Sequence, residues 1–457
     1  MIQQKVIDWI LFPFIKISQH MSEKAKNVLF VGSATVMIAR SFFSGMLTSW
    51  PYFLLYLFSV VCMIGMIIAT VNPHMRPVRF CKFPMACWLL VGGIMLATTL
   101  VFNDDWFSES VLFLVICPIL FIVWGGMDHK KLIRLFLWSI ITSFGVYFIG
   151  CCIFAPIEEW QYAGLYANPN GTALYLVLVF AALSIEVYLS HVKKWVYLLY
   201  LPVLGLCAGL LFYTGSRTGQ YSAVISYVLV VGFALVRDFK VLKWKILLKF
   251  VCCAVAIVAM LPTTLYVVRA GNTVLGGVET YNWRQMLLNS EDSFESLFGS
   301  DGDGNAFEIT ADSITTGRVS IWKEYLKHST WYGSGQQEKF WVESRHMNYT
   351  TAHMTLVTYA FRHGYVCAAL FLLFAVVMGI RALIFAWKRK GDYFALFPLM
   401  ISLIFGMAFL FESMNTPFSH MLTIFYYFVQ APLLVSFGSK KKQEAMVQEN
   451  FENVLEK

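Results

Sequence analysis

Charge is scarce in this chain. Asp, Glu, Lys and Arg supply 14% of its 457 residues, against roughly 25% in an ordinary soluble domain. Too few charges remain to wet a surface, while 58% of residues are apolar. A disordered chain and a water-soluble enzyme of several domains are both excluded. Metal-ligand spacing is missing too. The ten cysteines fall within or beside apolar runs, and the vicinal pairs Cys151–Cys152 and Cys252–Cys253 read as packing residues. No small-residue cleavage site follows the first apolar patch, so Met1 to His20 reads as a retained interfacial helix and not a signal peptide. No internal repeat or midplane ladder of charges occurs. The acidic residue set deepest in an apolar run is Glu186, close to that run's end.

What is present is hydrophobic length. Runs suited to crossing a bilayer, which needs roughly 20 apolar residues, recur from end to end. Twelve spans are expected, at 27–47, 51–71, 84–102, 107–125, 131–153, 170–190, 194–213, 217–236, 245–268, 364–387, 393–411 and 418–437. The fold class is therefore an all-α polytopic membrane protein. Its connections alternate in charge. Lys5 to Lys26, Arg76 to Lys82, Lys130 to Arg134, Lys193–Lys194, Arg237 to Lys249, Arg381 to Lys390 and the tail from Lys440 are basic. Asn103 to Trp106 and Ile157 to Trp160 are neutral or acidic. Positive charge stays inside, so both termini are expected on the cytoplasmic side. The organisation is then 1–268 with the interfacial helix and nine spans, a long extracytoplasmic loop 269–363 with short helices, three spans within 364–437, and a cytoplasmic tail 438–457.

The unusual polar clusters all fall at the expected outer face. Asn168-Pro169-Asn170 starts the sixth span, a pattern suited to capping a helix. Gly215-Ser216-Arg217-Thr218-Gly219 opens the eighth span, and a helix N-terminus carrying Arg217 suits an anion such as phosphate. In the long loop, Thr316-Gly317-Arg318 is expected to begin a helix with Ile321, Trp322 and Tyr325 on one face, followed by Gly333-Ser334-Gly335. The apolar run from Ala352 to Trp387 is too long for one span. The span is therefore placed after Gly364, with His353 on a lead-in helix. A neutral His there can take a proton from a hydroxyl, with His346 and His363 as rivals. Glu412 ends a helix whose dipole opposes it, so an arginine or a substrate hydroxyl should stabilise it. The stretch Asp301 to Asp312 is a poor calcium loop. Ala306 stands where the sharp turn needs Gly, and Asp312 replaces the bidentate Glu. No metal or cofactor is expected.

Taken in order, these pieces resemble the O-antigen ligase and O-antigen polymerase superfamily of bacterial membrane glycosyltransferases, over about residues 160–420. One departure is Met354, where family members often have Asn after the histidine. The resemblance implies transfer of a glycan from undecaprenyl diphosphate to a sugar hydroxyl at the outer face, inverting and metal-independent. Polymerisation of surface polysaccharide repeats is preferred. A ligase moving the finished glycan to a lipid or wall anchor is the alternative. It implies Arg217 and Arg318 on the diphosphate and His353 as base, with Asn168, Asn170, Ser216, Trp322 and Glu412 binding substrate. The expected partners are the lipid-linked oligosaccharide, the acceptor and the bilayer, with no nucleic acid. A transporter or flippase is the rival of another class. It usually shows paired half-repeats and midplane ionisable residues, whereas here the polar residues gather at one face. The sidedness is testable. Single cysteines replacing Glu158, Asp301 or Asn415 should react with an impermeant thiol reagent added outside, and those replacing Lys194 or Lys390 should not. Outside labelling at Lys194 would reverse the orientation.

Overall fold

The computed structural model describes residues 2–43, 52–71, 80–102, 106–155, 157, 161–166, 168–189, 194–238, 243–275, 318–335, 340–342, 347–349, 352–389, 392–412 and 420–435. The acidic loop 290–313, Gly317, His346, Glu158, Asn415 and the tail 438–457 lie outside the described residues.

Long apolar runs become helices because a buried backbone in lipid must satisfy its own N–H and C=O groups. Seven described helices are long and apolar enough to cross a membrane: Lys82–Phe102, Phe107–Gly125, His129–Phe154, Pro169–Tyr188, Arg217–Val236, Leu247–Leu275 and Tyr365–Lys388. Leu57–Thr70, Leu199–Tyr213, Leu396–Phe411 and Met421–Leu434 are shorter apolar helices. The chain is a polytopic, predominantly helical membrane protein. Local chemistry sets several helix ends. Asp128 caps His129–Phe154 by accepting from the Lys130 N–H at 3.2 Å, and the Ser22 hydroxyl accepts from the Ala25 N–H at 3.2 Å.

Pro169–Leu189 is the centre of the bundle. Its apolar window is 94% buried, against 17% for Leu247–Leu275 at the periphery. It packs on Arg217–Asp238, Lys194–Tyr213, His129–Phe154 and Leu396–Phe411. Lys194–Tyr213 approaches Lys243–Leu275 most closely through small residues. A Cβ on Gly205 would come 2.6 Å from Met260 Cγ and 2.7 Å from the Ala256 carbonyl, and Gly209 faces Thr264 in the same way. Small residues at such spacing let backbones meet where no hydrophobic force drives association. Within Phe107–Gly125 the turn Leu112–Ile116 is a π-helix. Trp88 stacks on Phe113 with ring centroids 3.9 Å apart and donates its Nε1–H to the Phe113 carbonyl at 2.8 Å. The neighbouring helix thus supplies a partner to the loosened turn.

The long connection contains a helix, Arg318–Lys327, and a feature absent from the sequence reading, an antiparallel hairpin of Phe340–Val342 with Met347–Tyr349. Ile321, Tyr325, Phe340, Val342, Ala352, Val357 and Phe361 form a small core of their own. The apolar run after Ala352 divides as expected, into Thr355–His363 and Tyr365–Lys388. Gly364 makes the break with φ +90°, and any Cβ there would strike the Trp331 carbonyl. The turn 330–335 satisfies the groups the break exposes. Ser334 N–H donates to Phe361 O at 2.8 Å, Gly335 N–H to Arg362 O at 2.9 Å, and Tyr365 N–H to Thr330 O at 3.1 Å.

The close helix contact makes a prediction. Gly205→Val should lower unfolding stability in a detergent titration by about 1–3 kcal/mol, the usual range for overpacking. Gly379→Ala, where nothing stands within 4 Å of the new Cβ, should change it little.

Candidate functional site

Two helix ends carry the charge their dipoles disfavour. Arg318 is the first residue of Arg318–Lys327, where the dipole is positive. Glu412 directly follows Leu396–Phe411, where it is negative. The two residues answer each other. Arg318 Nη2 donates to Glu412 Oε1 at 3.0 Å, and both side chains are mostly buried. Burial pushes the Glu412 carboxyl up from the usual range, and the Arg318 charge and hydrogen bond pull it back down. The main chain of Glu412 is held separately. Its N–H donates to Ala408 O at 2.7 Å, and its carbonyl accepts from Thr355 Oγ1 at 2.9 Å. One residue therefore grips the loop helix with its side chain and the helix Thr355–His363 with its backbone.

His353 lies two residues before that second helix, not on a lead-in helix as the sequence suggested, and its φ is +49°. A non-glycine residue there is strained unless its surroundings hold it. Its ring stands edge-on to Tyr349, with centroids 6.3 Å apart. Burial, and then the nearby Arg318 charge, press its pKa down to about 4, so the imidazole is neutral at pH 7. Trp322, one turn beyond Arg318, packs on the small loop core. Its indole N–H is buried without an acceptor among the described residues. Arg318, His353 and Glu412 are brought together.

No hydrogen bond or ion pair among the described residues joins the other candidates to this centre. Asn168 Oδ1 accepts from Asn170 N–H at 2.8 Å, the bond of a helix cap. Ser216 Oγ accepts a long bond from Gly219 N–H at 3.4 Å at the start of Arg217–Asp238. Arg217 is exposed, and no hydrogen bond or ion pair joins it to another described residue. His363, a rival base, is fully buried, with Nδ1 2.7 Å from Thr98 Oγ1. Arg362 beside it lies over the Trp106 ring at 4.5 Å. That pair knits Thr355–His363 to its neighbours and cannot meet a solvent-borne hydroxyl.

Sequence reasoning missed His420. It caps the last helix by accepting from Leu422 N–H on Nδ1 at 3.1 Å, and it donates from Nε2 to Gly171 O at 3.2 Å. It thereby links that helix to the start of the central one, with its ring beside Tyr166. The signal was Thr423 three residues on, which completes a capping box. Histidine is a rare cap, so the pattern is easily passed over.

Residues 202–372 match the family model for O-antigen ligase. This stretch is an O-antigen ligase domain. The chain is accordingly a multi-pass membrane protein that contains a stretch similar to the O-antigen ligases, a family of membrane enzymes handling lipid-linked glycans. The matched stretch of the O-antigen ligase domain takes in Ser216, Arg217, Arg318, Trp322 and His353. It begins after Asn170 and stops before Glu412 and His420. No curated protein matches the chain.

The buried histidines predict how the fold responds to acid. His353 and His363 are held near 4 and 3, below the roughly 6.5 of an unfolded chain. The unfolded state therefore binds more protons between those limits. Their stabilisation is complete above about pH 6.5 and is lost as pH falls toward the folded values. Thermal unfolding in detergent should shift to lower temperature between pH 7.5 and pH 5. His363→Asn, which keeps a polar partner for Thr98 Oγ1 and cannot titrate, should shift less. A midpoint independent of pH would contradict the assignment.

Proposed function

We propose that this O-antigen ligase-family enzyme transfers a glycan from undecaprenyl diphosphate to a sugar hydroxyl at the extracytoplasmic face, polymerising repeat units of a surface polysaccharide. The convergence of Arg318, His353 and Glu412 carries the reading. A guanidinium, a neutral imidazole and a carboxylate meet where the start of Arg318–Lys327 is tied to the end of Leu396–Phe411. The alternation of basic and acidic connections supports an outward-facing site.

In this reading the acceptor oxygen attacks the anomeric carbon on the face opposite the diphosphate. The new C–O bond forms as the old one breaks, and the electron pair leaves with the diphosphate, which inverts the anomeric centre. The acceptor proton passes to the neutral ring of His353. Arg318 and Arg217 balance the charge that gathers on the leaving group. Arg217 adds its charge to the free N–H groups of a helix start, where anions bind well. Asn168 and Ser216 contribute as caps that fix those helix starts, with Asn170 and Trp322 as further contacts to sugar or phosphate. A histidine held near 4 is a weak base. Part of that depression comes from Arg318, so a diphosphate neutralising the arginine strengthens the base when the donor is present. A ligase carrying a finished glycan would use the same steps with a different acceptor.

Variants reconstituted in liposomes with a lipid-diphosphate oligosaccharide test the roles. Arg217→Ala and Arg318→Ala should each cut turnover severely. Arg217→Lys should also be impaired, because a point charge does not reproduce a bidentate fork. His353→Ala should lose roughly 10²–10⁴ in rate, the usual worth of a general base. His353→Gly removes the strain at φ +49° and should match or exceed the wild type in stability while staying inactive. Wild-type turnover in the glycine variant would make His353 structural.

A further inference from the structure

The contact between Arg318 and Glu412 is a single one, Nη2 to Oε1 at 3.0 Å. A guanidinium has five N–H donors and usually grips a carboxylate it is meant to keep with two parallel bonds. Here most of the donor capacity of Arg318 is left over from Glu412. One turn along the same helix face, the buried Trp322 N–H also stands without an acceptor among the described residues. Among the described residues Arg318 thus has donors to spare and the Trp322 N–H lacks an acceptor, and a diphosphate supplies several acceptor atoms.

Glu412 is placed to let go. It is 8% exposed at the negative end of a helix, and burial disfavours its charge, so its ionised form depends on Arg318. Its N–H is bonded to Ala408 O at 2.7 Å and its carbonyl to Thr355 Oγ1 at 2.9 Å. The carboxylate can therefore leave Arg318 by side-chain rotation, without moving the backbone that positions the segment bearing His353.

Resting on the glycosyl-transfer reading of this site, we infer that Glu412 is an exchangeable counter-ion: it holds Arg318 between turnovers, yields it to the donor's diphosphate, and reclaims it as the product lipid diphosphate departs. The exchange has a consequence for both halves of the cycle. The donor must compete with a carboxylate already in place. The same carboxylate then competes with the spent diphosphate and speeds its release.

The test is equilibrium binding of undecaprenyl diphosphate to the purified full chain in nanodiscs, with product inhibition measured alongside. Glu412→Gln keeps a hydrogen bond to Arg318 but removes the competing charge. It should bind about 10-fold or more tightly than wild type, in line with the worth of a charge-assisted hydrogen bond, and should be inhibited by product at correspondingly lower concentration. Glu412→Asp, a shorter carboxylate, should fall between the two, and it carries the test if the Gln variant does not fold. Equal or weaker binding in these variants would overturn the exchange and make Glu412 a fixed support. Arg318→Ala separates this from the underlying reading. Lost binding in Arg318→Ala without a gain in Glu412→Gln removes the exchange alone, whereas unchanged binding in Arg318→Ala removes the diphosphate clamp itself.

Discussion

A mostly buried arginine at the positive end of one helix faces a buried glutamate at the negative end of another. Neither would be stable in its place alone, since each is opposed by its own helix dipole and by burial. Joined at 3.0 Å, they fix the start of the loop helix against the end of the helix Leu396–Phe411. Removing either partner leaves the other as an uncompensated buried charge, the costly case for ion pairs. In this resting arrangement the start of the loop helix therefore depends on this pair. So does the electrostatic setting of His353, whose proton affinity is lowered in part by the same guanidinium.

The rest of the bundle makes that pairing reproducible. The short helix Thr355–His363 is held at its start by the Glu412 carbonyl. At its end it is held by the turn 330–335, which caps the carbonyls of Phe361 and Arg362. His363 and Thr98 anchor its flank. With both ends fixed, the residue just before it, His353, has little freedom, and its left-handed backbone is sustained by context. At the start of the central helix, His420 ties the last helix to Gly171. The elements that carry the polar clusters are thus cross-linked by hydrogen bonds between helix ends, where backbone groups would otherwise lack partners.

Much of this was legible in the sequence because the bilayer imposes length and hydropathy on each helix. The division of Ala352 to Trp387 at Gly364 followed from length alone. The need of Glu412 for a stabilising group, an arginine or a substrate hydroxyl, followed from its place at a helix end, but that Arg318 answers it did not, since Arg318 lies 94 residues away. The hairpin was not visible, because two strands of three residues show no useful alternation. His353 was placed on a helix because the apolar pattern runs through it. Its positive φ is set by tertiary contacts that no local pattern records. His420 went unnoticed for a similar reason: its two bonds reach the distant Gly171 and an unusual cap position.

The central claim is that this centre moves a glycan off a lipid diphosphate onto a hydroxyl. The most direct measurement is reconstitution of the purified wild-type chain with a lipid-diphosphate oligosaccharide, following the glycan products by size and the released undecaprenyl diphosphate together. The account predicts a ladder of lengthening products with one diphosphate released per added unit. A single transferred unit on a separate anchor would move the enzyme to the ligase reading. Passage of the intact lipid-linked donor across the membrane, with no diphosphate released, would contradict the account.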